Sequence, residues 1–179
     1  MPALHPSFRR TPPATALTPG VTADPVASFL ECHDRIRTFL AGLGRLAALD
    51  DLADPRAPDA ARACARYFSI GLPLHGQDED ESLSPRLRLV ATDDVLDALD
   101  RMTQDHREMD GGLPMLLAQL EGVIAGDPPA PEALRASHRW LEALMDAHMA
   151  MEEAIIFPAA RGLEAAELSA IAAEMRGRR

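Results

Sequence analysis

Residues 54–60 read Asp-Pro-Arg-Ala-Pro-Asp-Ala, and residues 127–133 read Asp-Pro-Pro-Ala-Pro-Glu-Ala. The two stretches lie 73 residues apart, and the same offset aligns the chain on both sides of them. Arg62 falls on Arg135, Arg66 on Arg139 and Tyr67 on Trp140. Further out, His33 falls on His106, His75 on His148, Glu79 on Glu152 and Pro85 on Pro158. A repeat of this kind marks a duplicated supersecondary unit. Two copies of about 70 residues are too few and too long for a solenoid. Each copy has room for one helical hairpin, and two hairpins related by a pseudo-twofold axis make a four-helix bundle.

Hydropathy agrees with that arrangement. Four stretches space their apolar residues by three and four, as amphipathic helices do. The spacing predicts helices over about 25–48 (Val26, Phe29, Leu30, Ile36, Leu40, Leu43), 58–83 (Cys64, Phe68, Leu72, Leu83), 93–125 (Val95, Leu99, Met102, Leu113, Leu117, Leu120) and 131–157 (Leu141, Leu144, Met145, Ile155, Ile156). A shorter helix is predicted over 164–176, with Leu168, Ile171 and Met175 as its apolar face. Asp24-Pro25 suits a helix start, and Thr92 with Asp93 and Asp94 suits another. Pro73 and Pro114 fall inside their helices, where each removes a backbone donor, so kinks or short breaks are expected there, the second beside Gly111-Gly112. No stretch alternates with period two, so the predicted class is all-α: an antiparallel up-down bundle over 25–161, an extended Pro- and Thr-rich arm over 1–24, and a short C-terminal helix with a basic tail over 162–179.

Composition narrows the function. The chain has 179 residues, 47% of them hydrophobic, and a net charge of −10. That is a globular composition. Its acidity argues against nucleic acid or an anionic membrane as the partner. No apolar run approaches the ~20 residues of a membrane span. The first residues lack the apolar core of a secretory signal, so a cytoplasmic location is expected. Two cysteines, Cys32 and Cys64, are too few for a disulfide scaffold and read as buried thiols.

The apolar stripes carry the chemistry. His75 and Glu79 continue the Phe68–Leu72–Leu83 stripe, and His148 with Glu152 lies on the Leu141–Leu144–Ile156 stripe; residues four apart share a helix face. His33 sits between Leu30 and Ile36, and His106 between Met102 and Leu113. Four imidazoles and two carboxylates therefore point into the bundle together. Buried carboxylates facing each other are costly, and divalent cations neutralise them directly. Four His and two Glu suit two ions with bridging carboxylates, and this donor mixture favours Fe, Mn or Zn over Mg or Ca. Asp110, four residues after His106, is a seventh candidate. Its counterpart is Arg37, so as a ligand it would make the two metal positions unequal and leave one ion open; alternatively it bonds a ligand histidine. His138, whose counterpart is Ala65, reads as a surface residue, and His5 belongs to the arm. Glu153 and the acidic residues flanking Glu79 from Asp78 to Glu81 read as solvent-facing.

With His33 in the first helix, Leu-Pro-Leu-His-Gly-Gln-Asp-Glu at 72–79, His106 in the third, and His-Met-Ala-Met-Glu-Glu-Ala-Ile-Ile-Phe-Pro at 148–158, the chain resembles the hemerythrin-like (HHE cation-binding) family over residues 25–160. The resemblance implies a bundle around a non-haem di-iron centre, with Glu79 and Glu152 bridging and His33, His75, His106 and His148 as terminal ligands. The reading that follows is a protein that binds or reacts with O2, NO or peroxide in sensing, stress protection or iron handling; the alternative, since buried ligands couple metal binding to folding, is an iron-responsive regulatory module without turnover. The oxygen carriers of the family have a second His where Asp110 stands, and an Asp five residues after the helix-four His, where this chain has Glu153. Both differences point away from oxygen transport. No acid–base residue apart from the ligand set is evident, and protein partners are not legible.

Overall fold

The computed structural model describes residues 20–179; most of the predicted arm, His5 included, lies outside the described residues. Five helices account for nearly all of the described residues, and no strand occurs among them. They are α1 (Pro25–Ala47), α2 (57–87), α3 (Asp93–Ala125), α4 (131–160) and α5 (Ala165–Gly177). Asp24 caps α1, its carboxylate accepting from the Val26 and Ala27 amides. Gly126, at φ 80°, ends α3 in the left-handed conformation that suits glycine.

Along every long helix the candidate site residues separate two apolar clusters. In α1 the order is Phe29, His33, Ile36; in α2 it is Leu72, His75, Glu79, Leu83; in α3 it is Met102, His106, Met109; in α4 it is Met149, Glu152, Ile156. The larger cluster holds Ile36, Leu72, Met109 and Met149, and the smaller holds Phe29, Leu83, Met102 and Ile156. The order of the clusters reverses from each helix to the next, which is the antiparallel up-down course. A polar layer thus crosses the bundle with hydrocarbon above and below it. Ile171 and Met175 of α5 join the smaller cluster.

No break occurs at Pro73 or Pro114. Three short π-helical turns, Tyr67–Gly71, Glu79–Leu83 and Glu152–Ile156, each end two residues before a proline: Pro73, Pro85 and Pro158. A proline ring clashes with the carbonyl four residues earlier. Here those residues are Ser69, Glu81 and Ala154, each in the middle of a π turn, where the wider i→i+5 ring moves the carbonyl aside. The helices swell rather than break. The extra residue also rotates the next turn of helix, so Ile156 is buried while Ile155, expected on the inner stripe, is 36% exposed. At Pro114 the expected break is absent and α3 runs through unbroken. The neighbouring Gly112 serves packing instead: a Cβ there would lie 2.2 Å from Cη2 of Trp140.

Candidate metal centre

Both carboxylates of the inner layer sit at the first residue of a π turn, Glu79 in α2 and Glu152 in α4. Each lies one turn beyond its own histidine, so the His-x3-Glu spacing and the proline-induced swelling together set where the carboxylate points. His33 and His106 enter from α1 and α3 one helix away. All six side chains are buried; His106, at 8% exposure, is the most accessible.

The arrangement is nearly twofold symmetric. Glu79 Oε1 lies 3.2 Å from His75 Nε2, and its Oε2 lies 3.3 Å from His106 Nε2. Glu152 Oε1 lies 3.1 Å from His148 Nε2, and its Oε2 lies 3.1 Å from His33 Nε2. Each carboxylate therefore turns one oxygen to the histidine of its own helix and the other to a histidine of the opposite repeat. Two groups result, each able to offer four donor atoms within 4.8 Å of one another: His33, His75, Glu79 and Glu152, and Glu79, His106, His148 and Glu152. The two glutamates belong to both.

Most of the polar atoms facing one another at this centre have no hydrogen-bond partner in the protein. Both oxygens of Glu79 and Glu152 lack a hydrogen-bond partner, as do Nε2 of His33, His75 and His106. A buried polar atom without a partner costs roughly 1–3 kcal/mol, so such a concentration calls for a missing electrostatic partner. In the metal-free chain protons fill part of that role. Burial, reinforced by the charge of Glu152, pushes the Glu79 carboxyl up. Burial acts in the same direction on Glu152, but the adjacent His148 and His33 outweigh it and hold the carboxyl below the ordinary range. Burial disfavours charge on His106 too, yet contacts with Asp80 and Glu79 raise it to about 10. His75 goes the other way, pushed well below its ordinary value by burial and by the charge of His33. Cations bound at Nε2 and the carboxylates would displace those protons, coupling metal affinity to pH and to folding.

Behind the histidines stands a ring of carboxylates that the sequence reading missed. Glu153 Oε1 lies 2.7 Å from His33 Nδ1 and also accepts from Arg37 at 2.7 Å. Asp80 lies 2.9 Å from His106 Nδ1. Asp105, itself buried, lies 3.4 Å from His148 Nδ1 and accepts from Arg101 at 2.7 Å. With Nδ1–H turned to a carboxylate, the Nε2 lone pair faces the centre, as a metal ligand requires. Glu153 and Asp80 were expected in solvent; Asp80 is exposed and Glu153 half-buried, and both also reach a ring nitrogen. The offset of 73 was the available signal, since it places Asp80 on Glu153. Asp78 was also expected in solvent, yet it is fully buried and accepts from Arg178 at 2.8 Å and Arg179 at 2.7 Å. The basic tail is thus an internal ion-pair partner.

The structure does not bring Asp110 to the centre. It is exposed and belongs to neither four-donor group, so the protein ligands alone make the two metal positions alike in composition. Asp110 instead lines a cavity of about 250 Å³ between α2 and α3, together with Leu72, Gly76, Asp80, Met109 and His106. His106 is the one of the six inner residues that lines that cavity. His138 is no part of the centre; it faces Gly44, where a Cβ would lie 2.8 Å from its Nε2, and pairs with Glu142 at 3.5 Å. Cys32 and Cys64 are free and buried, as expected. No helix of the described residues is long and apolar enough to cross a membrane.

Comparison with known proteins fits this geometry. The family model of the hemerythrin HHE cation binding domain matches residues 24–160, and again residues 97–178. The second match begins 73 residues after the first, the offset of the internal repeat. No curated protein and no solved structure gives a match. The match over most of the chain, together with two overlapping His/Glu groups in a helical bundle, places this chain in the hemerythrin HHE cation-binding family.

Proposed function

We propose that the chain holds two iron ions at this centre and uses them to bind or react with a small molecule of the O2, NO or peroxide class. The observation that carries this reading is the sharing of Glu79 and Glu152 between two complete four-donor groups. Two imidazoles and two shared carboxylates per ion suit iron, with manganese or zinc as substitutes. Four protein donors leave an iron ion short of octahedral, so a small ligand has somewhere to bind. Iron at such a site supplies the electrons for chemistry with that ligand. Carboxylates hold three of the four imidazoles in one tautomer, the two apolar clusters exclude bulk water, and the cavity beside His106 leaves an approach. The net charge of −10 argues against nucleic acid as a partner, and a cytoplasmic role in sensing, stress protection or iron handling fits the reading. The test is to reconstitute the full chain with Fe2+ anaerobically and add O2 or NO while recording the absorption spectrum. New near-ultraviolet and visible bands are expected. An unchanged spectrum from iron-loaded protein would contradict the reactive reading.

A second reading is supported by the unsatisfied ligand atoms themselves. A centre this costly without metal makes folding respond to iron availability, as an iron-responsive regulatory module would. A large fall in Tm on removing iron, with no response to O2 or NO, would favour it.

A further inference from the structure

The six inner residues obey the 73-residue offset, and a carboxylate stands behind three of the four histidines. Glu153 behind His33 and Asp80 behind His106 are counterparts. Asp105 stands behind His148, and its counterpart, where His75 should find a carboxylate, is Cys32. The consequence is visible at the ring. His75 Nδ1 is buried and has no hydrogen-bond partner. The Phe29 ring meets the imidazole edge-on at a centroid distance of 5.9 Å. Cys32 is itself buried and brings no carboxylate to that nitrogen.

We propose that the two metal positions are unequal in affinity: the half built on His106 and His148 takes the first cation and keeps it, and the half built on His33 and His75 takes the second and releases it first. This rests on the dinuclear reading above. Glu79 and Glu152 contribute to both halves and cancel in the comparison. What differs is support for the imidazoles. A carboxylate on the outer ring nitrogen fixes the ring and makes the inner nitrogen a better donor, and its loss typically costs about 10–100-fold in metal affinity. The His106–His148 half has two such carboxylates, and the other half has one. Asp105 and Glu153 are each partly neutralised by an arginine, Arg101 and Arg37, so that effect falls on both halves.

The test is an anaerobic titration of the full chain with Fe2+ against a competing chelator. Two bound ions would repel each other and separate the steps in any case, so the order of filling decides, not the existence of two steps. His75→Gln is expected to lose the weak step and keep the tight one. His106→Gln is expected to lose the tight step. Asp105→Asn weakens the tight step by about tenfold or more. Cys32→Asp, which supplies the absent carboxylate, strengthens the weak step while the protein remains helical by circular dichroism. Loss of the tight step in His75→Gln with its retention in His106→Gln, or equal losses in both, would overturn the proposal while leaving the dinuclear reading intact. Binding of fewer than two ions by the unsubstituted chain would instead overturn the dinuclear reading on which it rests.

Discussion

The two halves of this bundle share one set of inner His and Glu side chains and differ at several positions around it. His33, His75 and Glu79 superpose in sequence on His106, His148 and Glu152, and the contacts they make are exchanged across the pseudo-twofold axis within 0.2 Å, at 3.1 to 3.3 Å. One shell outward the halves diverge. Cys32 answers Asp105. Buried Asp78, clamped by Arg178 and Arg179 from the α5 end of the chain, answers Met151. In the first repeat Phe39 and Tyr67 stack at 4.0 Å; their counterparts are Gly112 and Trp140, where the absent side chain of one makes room for the larger ring of the other. The lesson is that the donors are held by chemistry that accepts few substitutes, whereas packing requires only that volume and charge balance locally.

That comparison can be broken at its shared element. Glu152→Ala removes an oxygen donor from both groups at once, so bound metal should fall towards zero by elemental analysis. Full-affinity retention of one ion would show that the carboxylate serves a single position. Substituting Arg178 and Arg179 together by Gln strands Asp78 as a buried, unpaired carboxylate. Leaving one partner of a buried ion pair alone costs roughly 3–5 kcal/mol, which for a chain of this size lowers Tm by about 10 °C. Adding Asp78→Asn to that variant should recover much of the loss, because Met151 shows the twofold-related position has no need of charge; thermal melts of the three proteins decide this.

A pH series sharpens the electrostatic part of the comparison. In the metal-free protein His106 keeps its proton to about pH 10, whereas the unfolded chain releases it near 6.5. The native state binds more protons in that window, so stability is full below the lower value and declines as pH rises through the upper one. His75 is shifted the opposite way, and its cost appears only as pH falls below its ordinary value. Metal-free Tm should therefore fall between pH 7 and pH 9, and Asp80→Asn should flatten that slope. The smallest expected effect is Gly112→Ala. Its Cβ would collide with Trp140, and displacing that ring costs about 1–3 kcal/mol, read as a lower denaturation midpoint with the iron content unchanged.

The bundle and its six inner residues were legible because two independent periods, the helical one and the 73-residue one, converge on the same side chains. Helix limits agreed closely, α3 running Asp93–Ala125 as its spacing predicts. The π turns were not read, although Pro73, Pro85 and Pro158 carried the signal, since a proline inside a helix pattern announces disruption without saying whether the helix breaks or swells. Ile155 was placed inward for that reason. Asp80, Asp105 and Glu153 escaped because a surface charge and an outer ligand of an imidazole look alike in a one-dimensional pattern. Only the packing of α2 against α3, of α3 against α4 and of α1 against α4 shows which carboxylates reach a ring nitrogen. Asp110 shares a face with His106 by spacing, but at the edge of the bundle that face opens to the cavity and not to the centre.

The central claim is a dinuclear iron centre whose two ions share Glu79 and Glu152. Metal content per chain tests it most directly, measured on protein purified from iron-supplemented cells without chelators and again after anaerobic reconstitution with Fe2+. Close to two irons per chain is the expected result. No bound metal after reconstitution would contradict it and leave the unsatisfied carboxylates and imidazoles without the partner their burial demands.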